Sequence, residues 1–176
     1  WTTSGGLVSS GTGNNIPYTS NTGNAFTTVK ADYTSTSYIS INGDSISSID
    51  VSDLGNLLYK LYVQTNQLTS LDVTSNTNLF ELGCGTNSLT SLDVSANTAL
   101  DVLGIYKNNL TSIDLQYNTA LTRLICWENS LTSLDVSNNT GLTQLWCGDN
   151  QLTSLDVDVN TSLGTFQCSE NSLTSL

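Results

Sequence analysis

From Leu68 to Ser172 the chain reads LTSLDVTSNTNLFELGCGTNS, LTSLDVSANTALDVLGIYKNN, LTSIDLQYNTALTRLICWENS, LTSLDVSNNTGLTQLWCGDNQ, LTSLDVDVNTSLGTFQCSENS. These are five copies of one 21-residue unit, beginning at Leu68, Leu89, Leu110, Leu131 and Leu152. A fixed period of that size is the mark of a solenoid, in which each unit stacks on the next. Within a copy the apolar positions follow L-x-x-L-x-V and then L-x-x-L-x-C, as in Leu89, Leu92, Val94, Leu100, Leu103 and Ile105. The triplets Leu-Asp-Val and Leu-Xxx-Cys alternate apolar and polar residues, which is strand periodicity, so one side chain enters the coil and the next leaves it. A unit this short cannot bury its own apolar face, but a stack of them can. Successive coils are then expected about 4.8 Å apart, and residues 21 apart become neighbours.

Each copy also carries two asparagines at corners. One column is Asn66, Asn87, Asn108, Asn129, Asn150 and Asn171, and the other is Asn76, Asn97, Asn118, Asn139 and Asn160. Corners leave backbone groups without ladder partners, and a buried amide offers both a donor and an acceptor to satisfy them.

The pattern L-x-x-L-x-C-x-x-N-x-L resembles the leucine-rich repeat consensus with cysteine in an apolar slot. The 21-residue unit with LDVSxNT is similar to the internalin-like, cysteine-ladder subclass of bacterial leucine-rich repeat proteins. The likeness covers about residues 39–176. It implies a right-handed leucine-rich repeat superhelix with parallel strands on its concave face. It also implies an exported or cell-surface bacterial protein used for adhesion or recognition. No individual ligand follows from it.

Composition narrows the partners. The formal charge is −11, from 15 acidic against 4 basic residues, with the bases confined to Lys30, Lys60, Lys107 and Arg123. No basic patch is possible, which argues against nucleic acid and anionic membranes. No apolar run is long enough to span a bilayer, so no membrane insertion is expected. Trp1 in place of an initiating Met points to a processed chain or an excised piece. Cys84, Cys126, Cys147 and Cys168 are spaced by 42, 21 and 21 residues, with Ile105 filling the missing step. All four occupy one inward slot, so they read as small buried hydrophobes with free thiols rather than as disulfides or a zinc site.

The chain divides into a lead-in and capping strand, 1–35, and a solenoid of about six coils, 36–176. The lead-in is rich in Gly, Ser, Thr and Asn, and AFTTVKADYTS at 25–35 reads as a strand that caps the first coil. A degraded repeat extends back to Ile39 with a 22-residue step, one extra residue falling in SDLGNL, where Gly55 can absorb it. At the far end LTSL, Leu173 to Leu176, stops in mid-repeat. An uncapped coil would leave Leu163, Phe166 and Cys168 partly open, and suggests a neighbouring domain or subunit there.

Variety is concentrated on outward positions of the L-x-C half. Tyr106, Trp127, Ile125 and Trp146 fall on adjacent coils and are expected to form one exposed platform, with Gly83, Gly85, Gly104 and Gly148 leaving hollows beside the rings. Arg123, Glu128 and Asp149, with Lys107 and Gln144, would rim it, and Tyr62 lies in the same column as Trp146. Apolar patches with polar rims mark binding sites, and Trp, Tyr and Arg are the residues that most often anchor partners. A protein or glycan ligand is the expected occupant, since flat rings stack on sugars as well as on side chains. The plain alternative is that aromatics merely suit strands.

A second outward column, Asp50, Asp72, Asp93, Asp114, Asp135 and Asp156, stacks like charges. Neighbouring Ser and Thr hydroxyls can offset their repulsion, whereas calcium needs a denser set of carboxylates than one per coil. No cofactor is expected. The chain contains no His and no nucleophile elbow, phosphate loop or zinc motif, which leaves no case for an enzyme. A structural role, as a rigid spacer or an assembly subunit of a fibre or particle, is the rival to recognition.

Overall fold

A computed structural model describes residues 26–28 and 37–174. The lead-in at 1–24 and most of the expected capping strand at 25–35 lie outside the described residues. The described elements are β1 (Phe26–Thr28), β2 (Ser37–Ser40), β3 (Ser48–Asp50), a 3-10 turn (Ser52–Leu57), β4 (Leu58–Tyr62), β5 (Glu81–Gly83), β6 (Val102–Gly104), β7 (Arg123–Ile125), β8 (Gln144–Trp146) and β9 (Thr165–Gln167). Strands β2 and β4 to β9 form one parallel seven-stranded sheet in chain order, and β1 pairs in parallel with β3. The fold is a parallel-strand β-solenoid of 21-residue coils.

The register is the one that the period demands. Lys60, Glu81, Val102, Arg123, Gln144 and Thr165 are successive partners along the sheet, and so are Tyr62, Gly83, Gly104, Ile125, Trp146 and Gln167. Backbone bonds extend the ladder beyond the strands, for example from Cys84 N to Gly104 O and from Cys126 N to Trp146 O, both 2.8 Å. Between β2 and β4 the step widens to 22, with a shift in register after Ser37. The extra residue is taken up in the 3-10 turn, where Gly55 adopts φ 48° and ψ −135°, a conformation closed to a residue with a Cβ.

The coils of β4 to β8 each send Leu and then Val, Ile or Cys inward, while Phe166 holds the Leu position on β9 and is 36% exposed. Leu61, Leu82, Leu103, Leu124 and Leu145 are buried, as are Val63, Cys84, Ile105, Cys126 and Cys147. The four cysteines are free, and Cys168 alone among them is only partly buried. Burial of 33 apolar side chains in one continuous cluster supplies the main stabilising term, at roughly 1.5–3 kcal/mol for each large side chain before the entropy of ordering the chain is subtracted.

The asparagine columns close the corners in two different ways. Asn129 Nδ2 donates to Ile105 O (3.0 Å) and Cys126 O (3.1 Å), while its Oδ1 accepts from Leu110 N (3.1 Å). The same pattern recurs at Asn87, Asn108, Asn150 and Asn171. In the other column Asn118 Nδ2 donates to Val94 O and Asn97 O, both 2.9 Å. There the Oδ1 atoms of Asn76, Asn97, Asn118, Asn139 and Asn160 are buried without a hydrogen-bond partner.

The two halves of the repeat differ more than their alternating pattern suggests. Leu-Asp-Val reads as a strand, yet of its copies only the first, Ile49 to Val51, meets a paired strand, β3 against β1. Asp72, Asp93, Asp114, Asp135 and Asp156 each accept the backbone N–H two residues on, at 2.9–3.0 Å. The bond closes a local turn, and Asp50, in the copy that does pair, accepts it too, from Ser52 N at 3.0 Å. This bond gives each carboxylate a local donor, joined by a hydroxyl at Asp50, Asp72, Asp93 and Asp135.

Candidate functional site

The outward face of β5 to β9 is built from three adjoining columns. The residue after the inward Cys slot points out at Gln64, Gly85, Tyr106, Trp127, Gly148 and Ser169. The next residue is held in the left-handed region, with φ between 50° and 57° at Thr65, Thr86, Lys107, Glu128, Asp149 and Glu170. This conformation costs an L-residue about 1–2 kcal/mol. The asparagine that follows reaches back over the left-handed residue and holds the backbone there; Asn150 Nδ2, for instance, donates to Cys147 O and Gly148 O. The kink carries Glu128, Asp149 and Glu170 out to solvent along one rim.

On this frame the rings form a short stack. Tyr106 and Trp127 lie parallel, with centroids 5.0 Å apart and an 8° angle between planes. The other face of Tyr106 rests on Gly85, where a Cβ would come within 2.5 Å of the ring. Beyond Trp127 the column continues with Gly148 and Ser169, neither of which carries a ring. The result is an open groove of about 500 Å³ lined by Tyr106, Ile125, Trp127, Trp146 and Gly148, with Glu128, Asp149, Gln167 and Ser169 at its edges. Lys107 Nζ lies 5.0 Å from the Trp127 centroid and 3.5 Å from Glu128 Oε1.

Six of the residues singled out in the sequence therefore converge on one cavity, namely Tyr106, Ile125, Trp127, Glu128, Trp146 and Asp149. Two do not. Arg123 is exposed on β7 outside the groove lining. Tyr62 sits in the column of Ile125 and Trp146, but Gly83 and Gly104 intervene, which places it about 14 Å from Ile125 at the usual strand spacing. It belongs to a separate cluster in which the Tyr62 hydroxyl donates to Glu81 Oε2 and Lys60 Nζ pairs with Glu81 Oε1 at 2.5 Å. Burial, then the bond to Glu81, pushes the Tyr62 hydroxyl up to about 12. Burial pushes the Glu81 carboxyl up, but the bonds from Lys60 and Tyr62 outweigh it and hold the group below its usual range.

Two of the four hollows expected at the glycines are occupied, while Gly104 has no neighbour nearer than 3.8 Å. The Gln64 amide sits over Gly83, with Nε2 within 2.3 Å of where a Cβ would be, and Tyr106 covers Gly85. Only the space over Gly148 opens into the groove. Gln167 and Ser169 were not expected as lining; being polar and ringless, they carried no signal of a contact surface. A second ring pair, Tyr59 and Phe80, is stacked at 4.9 Å away from the groove. Among the described residues no group of three or more Cys, Asp or Glu is arranged to hold a metal ion.

No family model and no curated protein sequence matches the chain. Solved structures do. The functional domain of InlJ from Listeria monocytogenes, which includes a cysteine ladder, is 35% identical with a TM-score of 0.69, over 79% of this chain and 36% of that one. The internalin InlF from the same organism is 28% identical with a TM-score of 0.67, over 77% of this chain and 42% of that one. A leucine-rich repeat protein of Leptospira interrogans shares the fold at a TM-score of 0.72 and 23% identity, over 78% of this chain and 38% of that one. The chain thus spans well under half the length of each of these proteins. The 21-residue coil, the asparagine corners and the cysteine column make this chain a bacterial leucine-rich repeat protein of the internalin-like, cysteine-ladder subclass.

Proposed function

We propose that this chain is a non-enzymatic recognition module that binds a protein or glycan ligand through the aromatic groove on its strand face. The observation that carries the reading is the groove itself. Four apolar side chains from three successive coils, Tyr106, Ile125, Trp127 and Trp146, share one cavity with a charged edge. Stacking alone gives no reason for large rings to stand outward on neighbouring coils, whereas a contact surface does. The likeness to internalins supports an exported or cell-surface setting for such a module. The strongly acidic surface disfavours nucleic acid as the ligand.

Catalysis has little support in the groove. Its carboxylates, Glu128 and Asp149, stand on an open rim, and Glu128 already pairs with Lys107. No His is available as a base.

The test is a binding screen of surface proteins and glycans read by tryptophan fluorescence. The double variant Trp127→Ala, Trp146→Ala is expected to abolish binding of any hit while the melting temperature stays within a few degrees. A hit that binds the double variant as well as the parent would refute the reading. A screen without hits, together with oligomers that form through the β9 edge, would favour the structural role instead.

A further inference from the structure

The groove has a chemical preference that the shape of its rings does not by itself reveal. The ring column runs Gly85, Tyr106, Trp127, Gly148, so Tyr106 lies between Gly85 and Trp127, and Trp127 is stacked on Tyr106 with the Lys107 cation 5.0 Å from its centroid. Towards the C-terminal coils Trp127 is followed by Gly148, which carries no side chain and lines the groove; a Cβ there would meet Ser169 O at 3.0 Å and Ser169 Oγ at 3.4 Å, and no nearer atom of Trp127. The gap is one coil deep, about the thickness of one planar group beside a ring. Asp149 lines the groove and Glu170 follows it one coil on, both exposed on left-handed backbone. Among the described residues the ion pairs are Lys60 with Glu81 and Lys107 with Glu128, so neither Asp149 nor Glu170 has a basic partner.

The neighbouring coil displays the completed arrangement. There Lys107 places its cation 5.0 Å from the Trp127 ring centroid and 3.5 Å from Glu128. A cation, an aromatic face and a carboxylate are thus already combined once within the chain. One step along the stack Gly148 stands where the ring stood and Glu128 where the cation stood, while carboxylates recur at Asp149 and Glu170, so that step holds acid without a base.

We infer that the gap over Gly148 is a subsite for an arginine side chain of a basic protein segment, its guanidinium stacked on Trp127 and bridging to Asp149 and Glu170. A guanidinium is planar, stacks on indole and presents a fork of N–H donors to carboxylates. An ammonium fills the gap less well and pairs as a point charge. The net charge of −11 draws such a segment towards the surface from a distance. This inference rests on the groove being the binding surface, and narrows its ligand to a cationic protein segment.

The probe is a set of three peptides, (Gly-Arg)3, (Gly-Lys)3 and (Gly-Gln)3, with a neutral cello-oligosaccharide as the glycan arm, titrated against tryptophan fluorescence. The expected order is arginine above lysine, with no measurable binding of the glutamine peptide or the sugar, and an affinity that falls with added salt. Asp149→Asn with Glu170→Gln is expected to weaken the arginine peptide about tenfold or more, as loss of charge-assisted bonds does. Asparagine suits the left-handed backbone at 149, so the fold is preserved. Asp93→Asn with Asp114→Asn removes as much charge elsewhere and is expected to change affinity less than twofold. Equal losses from both double variants would mean non-specific attraction and overturn the arginine subsite. Sugar or glutamine peptide binding as tightly as arginine, but lost in Trp127→Ala, Trp146→Ala, would overturn the subsite and leave the groove reading intact. Arginine-peptide binding untouched by the tryptophan variant would overturn both.

Discussion

The Tyr106 ring is clasped between Trp127, stacked on it at 5.0 Å, and the bare Cα of Gly85, where a methyl group would come within 2.5 Å of the ring. Glycine at 85 is thus what allows the stack to lean towards the N-terminal coils. Beyond Trp127 the same column carries no further ring, only Gly148 and Ser169.

Gly85→Ala is therefore expected to displace Tyr106 and break its stacking, costing about 1 kcal/mol and shifting the emission of Trp127. Gly104→Ala, whose nearest neighbour would be Leu82 O at 3.8 Å, is expected to stay within about 0.5 kcal/mol of the parent. Urea unfolding and fluorescence of the two variants compare them directly.

The corner asparagines should differ in what they tolerate. Asn129→Ala removes bonds to Leu110 N, Ile105 O and Cys126 O, and a loss of about 3 kcal/mol or more is expected as buried backbone groups are left unpaired. Asn118→Asp should be worse than Asn118→Ala. It sets a carboxylate oxygen against Val94 O and Asn97 O, where the amide now donates to both. Denaturant midpoints of the three variants give the ranking, and an Asn118→Asp midpoint above that of Asn118→Ala would contradict it.

The cysteine column should be chemically quiet. Burial pushes the thiols of Cys84 and Cys147 up to about 12, with Cys168 adding to the effect at Cys147, and raises Cys126 well above the ordinary value. Iodoacetamide at pH 8 is expected to modify Cys168, which is only partly buried, long before the other three. Peptide mapping of the folded protein would read the order, and early labelling of Cys126 would argue against the packed ladder.

Acid should weaken the fold through the aspartate column. Hydroxyls of Thr74, Ser95 and Ser137, then the backbone N–H of the same residues, hold the carboxyls of Asp72, Asp93 and Asp135 below their usual value of 3.8. A depressed folded value means that the unfolded chain takes up protons first, so this stability is present above about pH 4 and is lost as pH falls through the folded value. The melting temperature is expected to drop between pH 4 and pH 2, and Ser95→Ala with Ser137→Ala should flatten that drop. An unchanged slope in the variant would remove these bonds from the account.

Much of this molecule was legible before any coordinates. A 21-residue period makes Arg123 and Gln144 partners, buries Leu124 beside Leu145, and puts Tyr106, Trp127 and Trp146 on one face. It does so because an extended chain returning at constant length can stack only in register. Gly55 was readable for a related reason, since one added residue must be absorbed somewhere and SDLGNL offers the backbone freedom to do it.

Tertiary structure decided what periodicity leaves open. Alternation in Leu-Asp-Val suggests a strand in every copy, but among the described residues only β3, against β1, forms a paired strand in that half, while the aspartates bond their own turns. The left-handed column falls on Thr, Lys, Glu and Asp, residues with no common preference for it, because the following asparagine imposes the conformation from outside. Tyr62 shares a column with Trp146 yet turns to Glu81, and the glycine hollows at 83 and 85 are filled by neighbouring side chains. A repeat determines which residues are neighbours. Which way each side chain leans among them depends on the room and the partners that the assembled coils provide.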